Sequence, residues 1–408
     1  MKNFNLKIIL SVFFLLGFGS SEIVSFVSGR ALYNHFVALI IGVLFLFVFS
    51  DTRYRVFLRF RAHILYLLGI GLLILTLLWG KEINFSRSWL DIRIITFQPS
   101  EIAKFTTILL LTHYVSKNYA TRQSFKTIVG IGFISLLPFV LVFIQPDLGS
   151  SIVFLAISLA FLVLSQNTRP LLILFFVGFA LFFSLIYFCF HCFSFKIPVL
   201  IFVLCGILFG VFEFIFKVKK PYIPSLFLFL SLNVIVFTGF GISKMLKPYQ
   251  KNRIMNFINP QRDPLNSGYQ ISQSLITIGS GKLFGKGYLK GTQARLGFLP
   301  GKYTDFLFAT ICEEFGFVGA FLILIAYFIL YMEILKISQR AVDREGSILC
   351  FLIFSVLSFQ TILNIGMNLG VLPITGLPLP FVSYGGTAVV VYLSMIGVVL
   401  NVNRVAKE

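Results

Sequence analysis

The sequence is poor in charged residues, and acidic residues are the scarcest of them. Only 12% of its 408 residues are charged and 58% are hydrophobic, whereas soluble domains carry about a quarter charged residues. The mean hydropathy is +0.94. Proline is also rare, and 51 Phe residues exclude a disordered or fibrous chain. This composition excludes a water-soluble protein and predicts a polytopic membrane protein.

Cysteine is scarce as well. The five Cys residues are odd in number and lie in apolar runs. Cys189 and Cys192 have CxxC spacing around His191, but no second pair of ligands accompanies them. The four His residues form no metal-ligand pattern. These cysteines are therefore interpreted as packing residues, and neither a disulfide framework nor a zinc site is predicted.

The charge that is present is mostly positive, with 34 Lys and Arg against 15 Asp and Glu and a net charge of +19. In a soluble protein this surplus would indicate nucleic-acid binding. Loop Lys and Arg residues also set membrane orientation and bind anionic headgroups. No nucleic-acid partner is therefore predicted.

Apolar runs of membrane-spanning length, about 20 residues, recur along the chain. Twelve runs are found, several of them short: 6–20, 35–50, 63–80, 101–117, 127–144, 149–166, 171–191, 196–216, 224–243, 306–333, 348–372 and 381–402. A signal peptide is the alternative for the first run. The fold predicted is an all-α polytopic membrane protein with about 12 transmembrane helices, forming one membrane-embedded domain over 1–408.

The basic residues are divided unequally between the two sides of this topology. With the N terminus inside, the inner segments hold eighteen Lys and Arg residues and the short outer loops hold five. Cytoplasmic loops carry an excess of these residues. Both termini are therefore predicted to be cytoplasmic, and the long segment 244–305 is predicted to lie outside.

The segment 244–305 mixes Pro, Gly and apolar residues, which predicts a structured extracytoplasmic loop rather than a flexible linker. Apolar residues at 269, 271, 275, 276 and 278 are spaced as in a helix lying on a membrane surface. The loop holds ten basic residues and only two acids, Asp263 and Asp305. Such surroundings keep a carboxylate ionised and attract a phosphate or pyrophosphate. Asp263 precedes Pro264, so a turn residue is its alternative role, and Asp305 is more consistent with a helix N-cap.

Charged residues in or beside the spans are functional candidates because their burial is costly. Glu101 and Lys104 open a span at i,i+3 spacing, so they share a helix face; a self-neutralising salt bridge is the structural alternative. Asp147 lies between two spans, where capping the next helix is the alternative. Glu313 and Glu314 lie within a span and are expected to point to different faces, with at least one meeting a partner or water.

Five sequence blocks, in this order, resemble the SEDS family, the shape, elongation, division and sporulation polymerases. They are 98–104 (QPSEIAK), 145–149 (QPDLG), 259–270 (NPQRDPLNSGYQ), 304–306 with 313–316 (TDF and EEFG), and 377–386 (LPLPFVSYGG). The stretches 291–293 and 372–376 resemble the elongation branch, RodA, more than the division branch, FtsW.

The resemblance implies a peptidoglycan glycosyltransferase in the bacterial inner (cytoplasmic) membrane, which joins the disaccharide-pentapeptide of lipid II into glycan strands during elongation. It implies a class B penicillin-binding protein as transpeptidase partner, together with other elongation-complex proteins. The catalytic loop carboxylate of the family falls on Asp263. The substrate-binding candidates are Glu101, Lys104, Asp147, Arg262, Lys286, Asp305 and Glu314. A divalent cation, Mg²⁺ or Mn²⁺, is a candidate cofactor with no assigned ligands.

The chain departs from the family pattern at several positions. The family usually has ten spans, so 166–224 is interpreted as an insertion of two extra spans, which leaves the long loop outside. Ser88 stands where the family has Arg before Trp89, and Gly301 and Tyr303 stand at its acid and His positions. These departures weaken any role for those positions and do not affect the Asp positions.

Two other functions compete with the polymerase. A lipid II flippase would use polar groups at depth, but transporters usually show paired halves with broken helices. No such repeat is visible, and flipping would leave the one-sided loop unexplained. A non-catalytic scaffold of the wall-synthesis complex is the second alternative.

Overall fold

The structure is a computed structural model that describes residues 5–83, 86–91, 96–119, 125–164, 256–257 and 267–407. One compact unit comprises Met1–Ser165 and Asp263–Glu408, and Gln166–Arg262 form a second. The predicted spans 171–191, 196–216 and 224–243, and with them the predicted insertion 166–224, lie outside the described residues. Arg262 and Asp263 lie outside them as well.

Helices build the first unit, and most of them are long and apolar. They are α1 (Leu6–Phe26), α2 (Gly29–Asp51), the single turn α3 (Tyr54–Val56), α4 (Ala62–Trp79), α5 (Pro99–Lys117), α6 (Phe125–Ile144), α7 (Leu148–Leu164), α8 (Ser267–Ser280), α9 (Leu307–Arg340), α10 (Arg344–Asn368) and α11 (Gly386–Val405). Within the described ranges, six of them (α1, α2, α4 and α9 to α11) are long and apolar enough to cross a membrane. Each predicted span that falls on described residues is a helix, which confirms the prediction of an all-α polytopic membrane fold.

A small antiparallel sheet, which sequence reasoning missed, joins α4 to α5. Its strands are β1 (Lys81–Ile83), β2 (Ser86–Asp91) and β3 (Thr96–Phe97), in the order β1-β2-β3. Lys81 pairs with Trp89 in the register of the first two strands. Ser88, which stands where the family has Arg, is buried in β2. Arg87 is exposed, and its Nε lies 3.7 Å from Glu82 Oε2.

The helix predicted from the apolar spacing in the long loop is α8, which confirms that element. Ile271 on one of its faces is buried, and Ser274 Oγ donates to the carbonyl of Asn368 at 2.8 Å. Leu275 and Ile276 are about half exposed. The helix is therefore amphipathic, and its position on a membrane surface stays a prediction.

The helix α9 is interrupted at Gly316, whose φ of +65° and ψ of −162° are not helical. A Cβ at this position would lie 2.3 Å from the Gly285 nitrogen, so a glycine is required both for the dihedral angle and for the close approach. The predicted span 306–333 falls on α9, which is long and apolar enough to cross a membrane, and the helix is broken at Gly316. The first segment, which ends before Gly316, carries Glu313 and Glu314.

Candidate functional site

The first polar cluster is centred on Glu101 and Lys104 of α5. Lys104 Nζ lies 2.6 Å from Glu101 Oε1, and both side chains are 1% exposed. Pro99 begins the helix, where its missing N–H costs nothing, and i,i+3 spacing places both charges on one face. The salt bridge that the sequence offered as the structural alternative is thus present, and a role in substrate binding stays a prediction. Pairing offsets the cost of burying each charge.

Two uncharged polar residues face this pair from neighbouring helices. The Tyr392 hydroxyl of α11 interacts electrostatically with Glu101 and Gln360. Within the described residues, Glu101 Oε2, Tyr392 Oη and both amide atoms of Gln360 are buried without a hydrogen-bond partner. Buried polar atoms are normally satisfied, and these groups are close enough to satisfy one another or to bind a water or a polar ligand group. Sequence reasoning missed Gln360 and Tyr392 because it looked for charges.

The carboxylate of Asp147 connects two of the sequence blocks, and Gln98 extends the contact to the start of α11. Its Oδ1 accepts from the Ser150 backbone N–H at 3.0 Å, which confirms the predicted cap of α7. Its Oδ2 accepts from Gln98 Nε2 at 3.0 Å, and the Gln98 backbone N–H donates to Thr387 Oγ1 at 3.1 Å. The start of α5, the turn before α7 and the start of α11 therefore meet at one point.

The second cluster is built on Glu313, whose side chain is fully buried. It accepts hydrogen bonds from Lys286 Nζ at 2.6 Å, Thr292 N at 2.7 Å, Thr292 Oγ1 at 3.1 Å, Gln293 N at 2.8 Å and Ala294 N at 3.1 Å. Bonds to an ionised acceptor are roughly twice as strong as neutral ones. One carboxylate therefore organises the turn at 292–294.

Glu314 binds the same segment. Its Oε2 accepts from the Leu289 backbone N–H at 2.8 Å, and its Oε1 accepts from Arg295 Nε at 3.3 Å. Both carboxylates thus have hydrogen-bond partners, whereas the sequence predicted a partner for at least one of them. The two side chains bind the same segment of chain. We call the two carboxylates and residues 286–295 the glutamate clamp.

The clamp fixes a strongly basic stretch of chain. Residues 282–302 carry five Lys and Arg residues and no acid. Lys302 Nζ donates to the Ala294 carbonyl at 2.7 Å and lies 4.9 Å from the centre of the Phe26 ring. Burial, together with the positive charge of Arg295, lowers the pKa of Lys302. Lys282 and Lys290 are exposed, so their ammonium groups are open to an anion.

Sequence reasoning missed Glu22, which lies near the end of α1 beside the clamp. Its side chain is fully buried, and neither oxygen has a hydrogen-bond partner within the described residues. The carboxyl group interacts electrostatically with Glu314 and Arg295. The sequence did carry a signal for Glu22, because it is an acidic residue within an apolar span. Burial of such a charge is costly, and this criterion, which selected Glu101, applies equally to Glu22.

Asp305 does not cap α9, so that prediction is wrong. The helix begins at Leu307 with Phe306 as its N-cap residue, and no side chain caps it. The reason is its position, because the helix begins one residue too late for Asp305 to be the N-cap residue. The Asp305 carbonyl accepts hydrogen bonds from α10, from Asn364 Nδ2 at 2.9 Å and Asn368 Nδ2 at 3.0 Å. Asn364 Nδ2 also donates to the Leu377 carbonyl at 2.7 Å. Asn364 therefore ties Asp305, three residues beyond the basic segment 282–302, to the block at 377–386.

The remaining predicted site residues are Asp263 and Arg262. Both lie outside the described residues, so their assignments stay predictions. Among the residues that the structure describes, no group of three or more His, Cys, Asp or Glu side chains is placed to hold a metal ion.

Comparison with known proteins agrees with this arrangement. A family model described as a cell cycle protein, for FtsW, RodA and SpoVE, matches residues 4–197 and 199–408. The peptidoglycan glycosyltransferase RodA of Treponema pallidum is 30% identical, over 92% of this chain and 90% of its own length. The peptidoglycan glycosyltransferase MrdB of Escherichia coli is 33% identical, over 89% and 82%.

A solved structure supports the same fold. It is described as showing the structural coordination of polymerization and crosslinking by a peptidoglycan synthase complex. It is 26% identical, covers 100% of both chains and has a TM-score of 0.70. The family match over nearly the whole length and the two relatives confirm the resemblance read from the five sequence blocks. This chain is therefore a member of the FtsW, RodA and SpoVE family.

Proposed function

We propose that this protein is a peptidoglycan glycosyltransferase, which polymerises lipid II into glycan strands during cell-wall elongation. Relatives that carry the enzyme name match it over most of its length. The structural observation that carries the proposal is the basic segment 282–302, held by the glutamate clamp and joined to the block at 377–386. The Tyr384 backbone N–H donates to the Tyr303 carbonyl at 3.0 Å in that junction. A fixed cationic segment suits a pyrophosphate-linked donor.

The proposed reaction needs a base for the acceptor hydroxyl and a cationic group for the departing pyrophosphate. Asp263 is the proposed base. An ordinary Asp pKa near 3.9 makes it a weak base for a sugar hydroxyl, so positioning of the acceptor must supply much of the rate. Attack by a single hydroxyl inverts the anomeric centre, which converts an α-linked donor into a β-linked strand.

The cations of the basic segment divide into two groups in this proposal. Lys282 and Lys290 are exposed and are proposed to stabilise the leaving pyrophosphate. Lys286 is engaged by Glu313 and Thr292, so a substrate phosphate must share it with the clamp. Arg262 is proposed to contribute beside Asp263.

The buried pair Glu101 and Lys104, together with the half-buried Asp147, is proposed to line the path of the lipid-linked substrate. The orphaned atoms on Gln360 and Tyr392 supply polar contacts at depth. A divalent cation, Mg²⁺ or Mn²⁺, is proposed to bind together with the substrate pyrophosphate.

The proposed setting is the bacterial cytoplasmic membrane, with both termini cytoplasmic and the basic segment outside. The surplus of Lys and Arg in the predicted inner segments supports this orientation. The proposed partners are a class B penicillin-binding protein and other elongation-complex proteins. The likeness to a structure of a peptidoglycan synthase complex supports such an assembly.

One assay separates the polymerase from the alternatives. Purified protein in detergent is given labelled lipid II and a divalent cation, and the products are separated by size. Long glycan chains support the proposal. Translocation of labelled lipid II across liposome membranes without chain growth would identify a flippase. If fully folded protein shows neither chain growth nor translocation, the scaffold alternative is favoured.

A further inference from the structure

A groove lies between the first turns of α1 and the last turns of α9. Its volume is about 380 Å³, within the range of about 300–1,000 Å³ found for ligand pockets. Its apolar lining includes Leu10, Phe328 and Met332, and its polar lining includes Lys7, Glu333 and Lys336. The groove thus joins an apolar trough to a charged mouth.

The charged mouth is organised by Glu333, whose side chain is 12% exposed. Its Oε1 lies 2.8 Å from Lys336 Nζ and 3.9 Å from Lys7 Nζ, and its Oε2 accepts from Asn5 Nδ2 at 3.0 Å. The two lysine side chains are 45% and 68% exposed. One largely buried acid therefore holds two outward-facing ammonium groups together, with a net charge of +1.

The trough is apolar and open over the same turns. Leu10, Phe328 and Met332 are between 40% and 64% exposed, whereas Ile8 and Val12 on the adjoining face of α1 are buried. The two helices also meet near the far end of α1, where the rings of Phe18 and Phe315 are 4.8 Å apart. The groove is thus a local gap beside a helix pair that is well packed elsewhere.

We propose that this groove binds one anionic phospholipid, of which phosphatidylglycerol is the test case. An acyl chain lies along Leu10, Phe328 and Met332, and the phosphate sits between Lys7 and Lys336. The argument is charge complementarity: the mouth carries a positive charge at the end of two spans, where lipid phosphates lie, and the trough beside it is apolar. This site is separate from lipid II chemistry and does not depend on the proposed function.

The test places a fluorophore in the trough. Leu10→Trp is introduced into full-length protein in which Trp79 and Trp89 are changed to Phe, so that its indole is the single emitter. The protein is reconstituted into phosphatidylcholine vesicles containing either phosphatidylglycerol or phosphatidylcholine with brominated chains, which quench a neighbouring indole. Preferential quenching by brominated phosphatidylglycerol is expected, because each basic residue near an anionic headgroup favours binding by about fivefold.

Three variants of the same protein decide where the preference arises. Lys7→Gln/Lys336→Gln is expected to abolish it, and Lys7→Arg/Lys336→Arg to keep it, which shows that the charge matters rather than the fold. Lys117→Gln/Lys407→Gln removes two charges from exposed lysines outside the groove and is expected to leave the preference intact.

Other outcomes would overturn the proposal. Equal quenching by the two brominated lipids would show that the groove does not select an anionic headgroup. Loss of preference in the Lys117→Gln/Lys407→Gln control would assign the effect to general surface charge. Quenching by neither lipid would show that a protein segment, from this chain or another, covers the groove.

Discussion

Lys286 and Glu313 form an ion pair of 2.6 Å across 27 positions of the sequence. Glu313 is fully buried, and Lys286 is 27% exposed. The pair joins the basic segment to the first part of α9, and the backbone N–H groups of 292–294 complete the shell around the same carboxylate. Glu313 is therefore the side chain that makes the most hydrogen bonds to the basic segment, beside those of Glu314.

The first prediction concerns this carboxylate. Glu313→Gln keeps the shape but replaces an acceptor oxygen with an amide nitrogen that cannot accept the N–H groups facing it. Loss of charge-assisted hydrogen bonds is expected to lower the free energy of unfolding by about 2–3 kcal/mol. It is also expected to make the chain at Lys290 and Arg295 accessible to trypsin. Limited trypsin digestion and thermal unfolding in detergent measure both effects.

Two matched variants sharpen that prediction. Lys286→Met is expected to cost less than Glu313→Gln, because the three backbone N–H bonds to the carboxylate remain. Lys282→Gln alters an exposed lysine of the same segment and is expected to leave the cleavage rate at Lys290 and Arg295 unchanged. If Glu313→Gln resists trypsin as well as the unchanged protein does, the carboxylate is not the organising group.

The second prediction concerns Glu101 and Lys104. Glu101→Ala leaves the Lys104 ammonium buried without its partner, and breaking a buried pair typically costs about 3–5 kcal/mol. The double variant Glu101→Leu/Lys104→Met is expected to recover the thermal stability, because no lone charge remains. It is not expected to recover polymerisation of lipid II. Full activity of the double variant would reduce the pair to a structural role.

The third prediction uses two glycines of α1. A Cβ at Gly19 would lie 2.2 Å from the Val382 carbonyl oxygen, whereas a Cβ at Gly17 would meet no atom within 4 Å. Gly19→Ala must therefore displace α1 or the block at 377–386, at a cost of about 1–3 kcal/mol. Gly17→Ala is expected to be neutral or slightly stabilising. Equal unfolding midpoints for the two variants would contradict the close packing of α1 on that block.

The fourth prediction concerns orientation. In a background with its native cysteines replaced, Lys290→Cys is expected to react with an impermeant thiol reagent in intact spheroplasts. Gln339→Cys, at the end of α9, is expected to react only after lysis. Both positions are exposed, so access through the membrane decides the result. The opposite pattern would invert the topology.

Much of the helical fold could be predicted because bilayer thickness sets the length of an apolar run. The run 127–144 corresponds to α6 within two residues. The run 35–50 began six residues late, because α2 starts at Gly29 and its first turns contain the polar residues Arg30 and Asn34. A reading based on hydropathy does not include such a polar first turn.

The candidate site could be predicted where its contacts are local. Glu101 and Lys104 are one helical turn apart, so their pairing follows from spacing alone. The clamp could not be predicted, since most donors to Glu313 are backbone N–H groups whose direction depends on a tertiary turn. The break at Gly316 was hidden for the same reason, because a left-handed glycine leaves no mark in an apolar run.

The last prediction concerns Asp263, the proposed base. Asp263→Asn keeps size and hydrogen bonding but removes the group that takes the proton, so lipid II still binds. Asp305→Asn serves as the comparison. It keeps the backbone carbonyl that Asn364 and Asn368 bind, and it is expected to cost less activity than Asp263→Asn.

The rate of glycan chain growth from lipid II by Asp263→Asn, at matched amounts of folded protein, tests the account most directly. The proposed mechanism predicts a fall of about 10²-fold or more relative to the unchanged protein, with lipid II binding retained. Chain growth at the unchanged rate would contradict the assignment of Asp263, and the base would then have to be sought at Asp147 or Glu314.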